Sequence, residues 1–197
     1  MAPLLAGRIP LIVAVNRASD IEAAIRLAED FALRLVVLGG SEAWKVAPQL
    51  ASARVPVMLD PLANLPGSFD RLGATLEDAA RLQRAGVSVA FASSDGKNAR
   101  NLTQSAGNAV AYGMNYDAAL RAITVNPGRI FGIDRSYGTL KPGKLADVVV
   151  RSGDPLEVTS FADQVIIEGR IIPMTSRSTL LRDRYRSPDK SMRPGYR

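Results

Sequence analysis

The sequence predicts an α/β fold built on a parallel sheet, and three features carry that prediction. Four short apolar runs recur through the first half: RIPLIVAV (8–15), LRLVVL (33–38), VPVML (55–59) and VSVAFA (87–92). Each is a continuous, β-branched run of strand length, the pattern of a strand buried on both faces. Between them lie helical periodicities or long connections, as crossovers between parallel strands require. The repeat length suits half of a (β/α)8 barrel, and a doubly wound sheet fits the same pattern nearly as well. No Gly-x-Gly-x-x-Gly loop follows the first run, which argues against a dinucleotide site.

The elements follow in order. After the first strand, Ser19 and Glu22 read as a capping box, with Ile21, Ile25, Ala28 and Phe31 at helical spacing behind it. Gly39-Gly40 turns the chain after the second strand, and Ser41 reads as the cap of a helix reaching Leu50, bent or shortened by Pro48. A Pro-, Asn- and Gly-rich loop spans 60–73, and a helix over 75–85 ends at Gly86. Beyond Asp95 the pattern is helical over 99–112, then over 116–124 with Asn115 as cap, then from Asn126-Pro127 to Gly132. Three short strands follow at 146–151, 164–167 and 170–173, the last two joined at Glu168-Gly169. A final helix is expected over 176–185, and the segment after it has the composition of a disordered tail. This gives three regions: a partial (β/α) barrel with its C-terminal helices (1–135), a small β-sheet region (136–175), and a C-terminal helix with a basic tail (176–197).

Composition narrows the function. Hydrophobic residues make up 47% and charged residues 22%, the balance of a folded globular chain. The longest apolar runs fall far short of the ~20 residues that span a bilayer, and no secretory signal pattern is read within this sequence. With no cysteine, disulfides, thiolate catalysis and Cys-ligated zinc are excluded, while the compartment stays unknown. The net charge is +6, and residues 177–197 hold seven Lys/Arg against two Asp/Glu, so most of the excess lies in that terminal arm. The arm reads as a solvated terminus. Without interleaved aromatics beyond Tyr185 and Tyr196, a nucleic-acid partner is not expected.

Several polar residues fall at predicted strand ends. Asn16 and Arg17 follow the first strand, where they can bind substrate polar groups or hold a neighbouring loop. Asp60 precedes a proline and reads as a turn initiator. Asp95 follows the fourth strand, either as a functional carboxylate or as a cap, and Lys97 beside it reads as lining a mouth or as an ordinary solvated helix start. Trp44 reads as packing, and Asp147 as a residue satisfying a local partner.

Together the motifs carry a resemblance. NYDAALRAITVNPGRIFGIDRSYGTLKPGKLADVVVRSGDPLE (115–157), then VIIEGRIIP (165–173), SDG (94–96) and IPLIVAVNRASDI (9–21) resemble the C-terminal portion of the amidohydrolase superfamily, with the last similar to a bacterial subgroup that departs from the usual metal pattern. The resemblance implies that the four strands are strands five to eight of a TIM-like barrel, followed by part of a small, incomplete β-sandwich. It implies a metal-dependent hydrolase of C–N bonds (amide, peptide or cyclic amide), with a zinc-type divalent ion. Asp95 would be the catalytic proton acceptor and a weak metal ligand; Asn16, Arg17 and Lys97 would line the substrate site.

The family places histidines at the ends of strands five and six, where this chain reads Ala14-Val15-Asn16 and Leu38-Gly39-Gly40, and the sequence holds no histidine. The chain alone is therefore expected to hold no metal and to be inactive. The alternative is a catalytically dead barrel scaffold or binding module. A half barrel leaves two sheet edges exposed, so the expected partner is a missing N-terminal half or a second copy, besides a small-molecule or peptide substrate. Full-length relatives are often exported.

Overall fold

The structure is a computed structural model that describes residues 2–93 and 96–186, without the side chains of 96–98. Four strands, β1 (Leu11–Val15), β2 (Leu35–Gly39), β3 (Val57–Leu59) and β4 (Val89–Phe91), form one parallel sheet in the order β1-β2-β3-β4. Strand order follows chain order without a reversal. Right-handed crossovers between successive neighbours then put their connections on one face of the sheet. A doubly wound sheet reverses its order at a switch point, so these four strands do not support that alternative.

The register divides the side chains between the two faces. Val13, Val37, Val57 and Val89 are aligned on one face, and Ala14, Leu38, Met58 and Ala90 on the other. The first face is the core. It packs against α2 (Ala18–Asp30) through Ile21 and Ile25, α3 (Ala47–Ser52) through Leu50, and α4 (Asp78–Arg84) through Leu82. The short helix α1 (Ala2–Leu5) buries nothing. Behind β4 come α5 (Leu102–Ala111), α6 (Tyr116–Ile123) and α7 (Val125–Phe131).

The opposite face corrects the sequence reading. Continuous apolar runs predict burial on both sides, yet Ile12 is 44% and Leu38 37% exposed. Ile130 of α7 covers part of this face, packing with Val36, Ala90 and Met58. Asn126 fixes α7 there by donating its Nδ2 to the Val89 carbonyl at 2.7 Å.

Three local expectations also change. The Ser19–Glu22 capping box does not form. Helix α2 starts at Ala18, whose amide donates to Glu42 Oε2 at 3.1 Å, so the cap comes from 24 residues away. Ser41 caps no helix. A 3-10 turn (Ala43–Val46) intervenes before α3, whose first turn takes Pro48 because proline lacks only an amide that would be unpaired there. The expected helix over 99–112 begins instead as a 3-10 turn, Gly96–Asn101, before α5. Asn115 does cap α6, accepting from the Ala118 amide at 3.2 Å.

The second sheet is antiparallel, β5 (Val148–Arg151), β6 (Ala162–Ile167) and β7 (Arg170–Ile172). Glu168 and Gly169 both take positive φ, the two-residue hairpin turn that suits strand twist. Asp147 satisfies the Glu168 amide at 2.8 Å. Its register sets Val149, Val165 and Ile172 on one face and Val148, Ile166 and Ile171 on the other, so both faces are apolar. Leu156, in the β5–β6 connection, anchors this region by entering the main core against α5. Last is α8 (Arg177–Arg186), with no buried residue and a start bonded between Ser176 and Thr179. Among the described residues no helix is long and apolar enough to cross a membrane.

Candidate functional site

Parallel strands present their C-terminal ends together, and the loops that leave them bound a cavity of about 380 Å³. Asn16, Ser41, Asp60, Arg71, Thr75 and Asp78 contribute to its lining. A groove of about 460 Å³ lies at the other end of the sheet, between Pro10, Arg54, Pro56 and Arg129, on the face that such folds use for packing rather than chemistry.

Asn16 is hydrogen-bonded through both atoms of its side-chain amide. Its Nδ2 donates to Asp70 Oδ2 at 2.6 Å, and its Oδ1 accepts from Ser41 Oγ at 3.1 Å. Ser68 Oγ donates to the other Asp70 oxygen. These bonds, first from Ser68 and then from Asn16, hold the Asp70 carboxyl below the usual carboxylate range. The loop 60–73 is thereby tied to the end of β1. Gly39 is required beside this contact. It has φ +94°, and a Cβ there would stand 2.9 Å from Asn16 Oδ1.

Arg17 is exposed and its charge contributes least to lowering the Glu42 carboxyl, which is held low first by Lys45 and next by the Ala18 amide. Asp60 accepts from the Leu62 amide at 3.0 Å, which is the turn role expected of it. Asp95 and the Lys97 side chain lie outside the described residues.

Sequence reasoning missed Asp78. In LEDAARL it looks like an ordinary first-turn helix acid. The fold instead buries it to 8% exposure, and its Oδ1 has no hydrogen-bond partner. Burial pushes its carboxyl up to about 7, against the opposing pull of the Trp44 backbone amide and the Arg81 guanidinium. It also missed Ser41 and Asp70, whose roles depend on loops brought together from 25 and 54 residues away.

A zinc-type ion does not fit these residues. Zinc takes about four nitrogen, sulfur or carboxylate donors. The chain has no histidine or cysteine, and among the described residues no group of three or more acidic side chains could hold a metal. The amide at the end of β1 is engaged on both sides, and its Asp70 partner is likewise used twice.

Comparison with known proteins adds the family context. The pattern of the Amidohydrolase family matches residues 21–172. An amidohydrolase structure from Thermotoga maritima MSB8 superposes with a TM-score of 0.82 at 34% identity, covering 87% of this chain and 45% of that one. A zinc-bound adenosine deaminase from Xanthomonas campestris shares the fold at a TM-score of 0.58 and 20% identity, covering 88% of this chain and 49% of that one. Amidohydrolase tasK of Hapsidospora irregularis is 38% identical over 72 residues, which are 36% of this chain and 7% of that protein. The chain thus spans under half the length of each of these three relatives.

Proposed function

Because this chain belongs to the amidohydrolase family, we propose that it is the C-terminal portion of an amidohydrolase-like hydrolase of amide, peptide or cyclic amide bonds, and that it is inactive alone. In this reading β1–β4 are strands five to eight of an eight-stranded barrel, and β5–β7 are part of a small sandwich. The observation that carries it is the cavity at the C-terminal ends of four sequentially ordered parallel strands, in a chain of this family.

The divalent metal expected of the family would need donors from outside the described residues. What this chain's own residues contribute is the wall of the site. Asn16, held by Asp70 and Ser41, braces the loop that bounds the cavity. As the resemblance implies, Arg17 and Lys97 supply positive charge for a substrate carbonyl or carboxylate. Asp95 takes the proton of the attacking water. The open apolar face, with Ile12 and Leu38 exposed, supports a partner that completes the barrel, either an N-terminal half or a second copy.

The test is hydrolysis by the purified chain of an acetylated amino acid, a dipeptide and a cyclic amide, with zinc or manganese added. No turnover is expected. Turnover abolished by Asp95→Asn overturns the inactivity of the chain alone. Light scattering checks the partner: a well-folded, non-associating monomer counts against it. One observation favours the alternative, a catalytically dead scaffold or binding module. Asn16, at a strand end where the resemblance implies an imidazole, spends both amide atoms on protein partners.

A further inference from the structure

We propose that Asp78 is a proton-operated latch: protonated, it seats the start of α4 against the Ala43–Val46 turn, and ionised, it releases that contact and widens the cavity. The biological consequence rests on the cavity being the ligand site; the latch itself does not.

The Trp44 backbone amide acts on the Asp78 carboxyl, and a proton is the partner that Oδ1 lacks. The carboxyl is enclosed where α4, the Ala43–Val46 turn and the cavity meet, and Oδ1 has no hydrogen-bond partner. The cations around it are committed elsewhere. Arg81, one turn along α4, gives Nε and a terminal nitrogen to Glu77 Oε2 at 3.1 and 2.9 Å, and stacks on the Trp44 ring at 4.4 Å. Lys45, on the facing turn, is held by Glu42 at 2.6 Å. Arg84, at the far end of α4, donates to the Ala80 carbonyl. The other elements packed on α4 are α5 and β4, and neither carries an ionisable side chain. Among the described residues of the cavity lining the remaining charges are Arg71 and Asp60.

An enclosed carboxyl whose neighbouring cations are bonded to other groups stays in place as the neutral acid and is driven toward water once charged. Trp44 couples that movement to the cavity. Its indole Nε1 donates to the Gly73 carbonyl at 2.9 Å, beside the cavity residues Arg71 and Thr75, so a shift of α4 against Trp44 moves that loop. The sequence holds no histidine, so no side chain with an ordinary neutral pKa duplicates the response.

The experiment uses the single tryptophan of the chain. Emission of Trp44 is followed from pH 5 to 9 in the wild type and in Asp78→Asn, without ligand. The expected result is one transition in the neutral range in the wild type, with emission shifting to longer wavelength as pH rises, and a flat profile in Asp78→Asn. A flat wild-type profile, or the same transition in Asp78→Asn, overturns the latch. Should Asp78→Asn fail to fold, the side-chain carboxyl carbon shift of Asp78 in the wild type decides instead. A midpoint near neutrality supports the latch, and one in the ordinary aspartate range overturns it. Neither result bears on hydrolysis, so the latch and the assigned function fail separately.

Discussion

Asn16 Nδ2 and Asp70 Oδ2 stand 2.6 Å apart across 54 residues of sequence, and that bond ties the long loop after β3 to the end of β1. The loop carries exposed apolar residues, among them Phe69 at 84%, so little burial holds it down. Asn16→Ala should therefore raise the rate of limited proteolysis within residues 61–72 severalfold while leaving far-ultraviolet circular dichroism unchanged. The Asp70 carboxyl is held low in the folded state, so its contribution is present above the ordinary aspartate value and is lost as pH falls below that value and through the lowered folded-state one. Cleavage of the wild-type loop should rise in acid, measured with an acid-active protease, and cleavage of Asp70→Asn should be fast at every pH.

Gly39→Ala should destabilise the chain by about 1–3 kcal/mol in urea denaturation, because φ +94° strains any side chain and the new Cβ meets Asn16 Oδ1. Gly67→Ala is the control. Nothing lies within 4 Å of a Cβ there, and its change should stay within about 0.5 kcal/mol.

Asp78→Asn should stabilise the chain at pH 8 and have little effect near pH 4. The folded-state carboxyl is raised from 3.8 to about 7, so the native state holds a proton that the unfolded chain releases. Its stabilising contribution is complete below about pH 4 and is lost as pH rises through about 7. A shift of this size corresponds to at most roughly 4 kcal/mol, read as the difference in urea midpoints between the two proteins across pH. A constant difference at all pH values would remove the titration argument.

Leu156→Ala should cost about 2–4 kcal/mol, since this side chain enters the main core from the β5–β6 connection. Gly107→Ala should act at the same contact, because its Cβ collides with the Leu156 carbonyl oxygen. Hydrogen exchange should show β5–β7 losing protection before β1–β4 in both variants.

Leu38→Glu tests the open sheet face. With Leu38 already 37% exposed, the folded chain should lose under about 1 kcal/mol, while any association seen by light scattering should fall at least tenfold. Association unchanged by this substitution would place the contact elsewhere.

Much of the architecture was legible because it is written in local patterns. The four β-branched runs, Asn115 as a helix cap, the Glu168-Gly169 turn and the turn role of Asp60 depend on residues a few positions apart. The cap of α2 was not legible, because Glu42 supplies it from across the fold. Nor was the open face of the sheet, since a buried and an exposed apolar strand face read alike in one dimension.

By itself the sequence determined the strands and the lack of imidazole and thiolate donors, because these follow from composition and short-range periodicity, and its motifs carried the resemblance to the family. Tertiary structure alone decided that Asn16 binds Asp70 and Ser41, and that a commonplace helix acid, Asp78, is enclosed with its Oδ1 unpartnered. The physical reason is that burial and long-range hydrogen bonding depend on which distant segments meet, and no local pattern records that meeting.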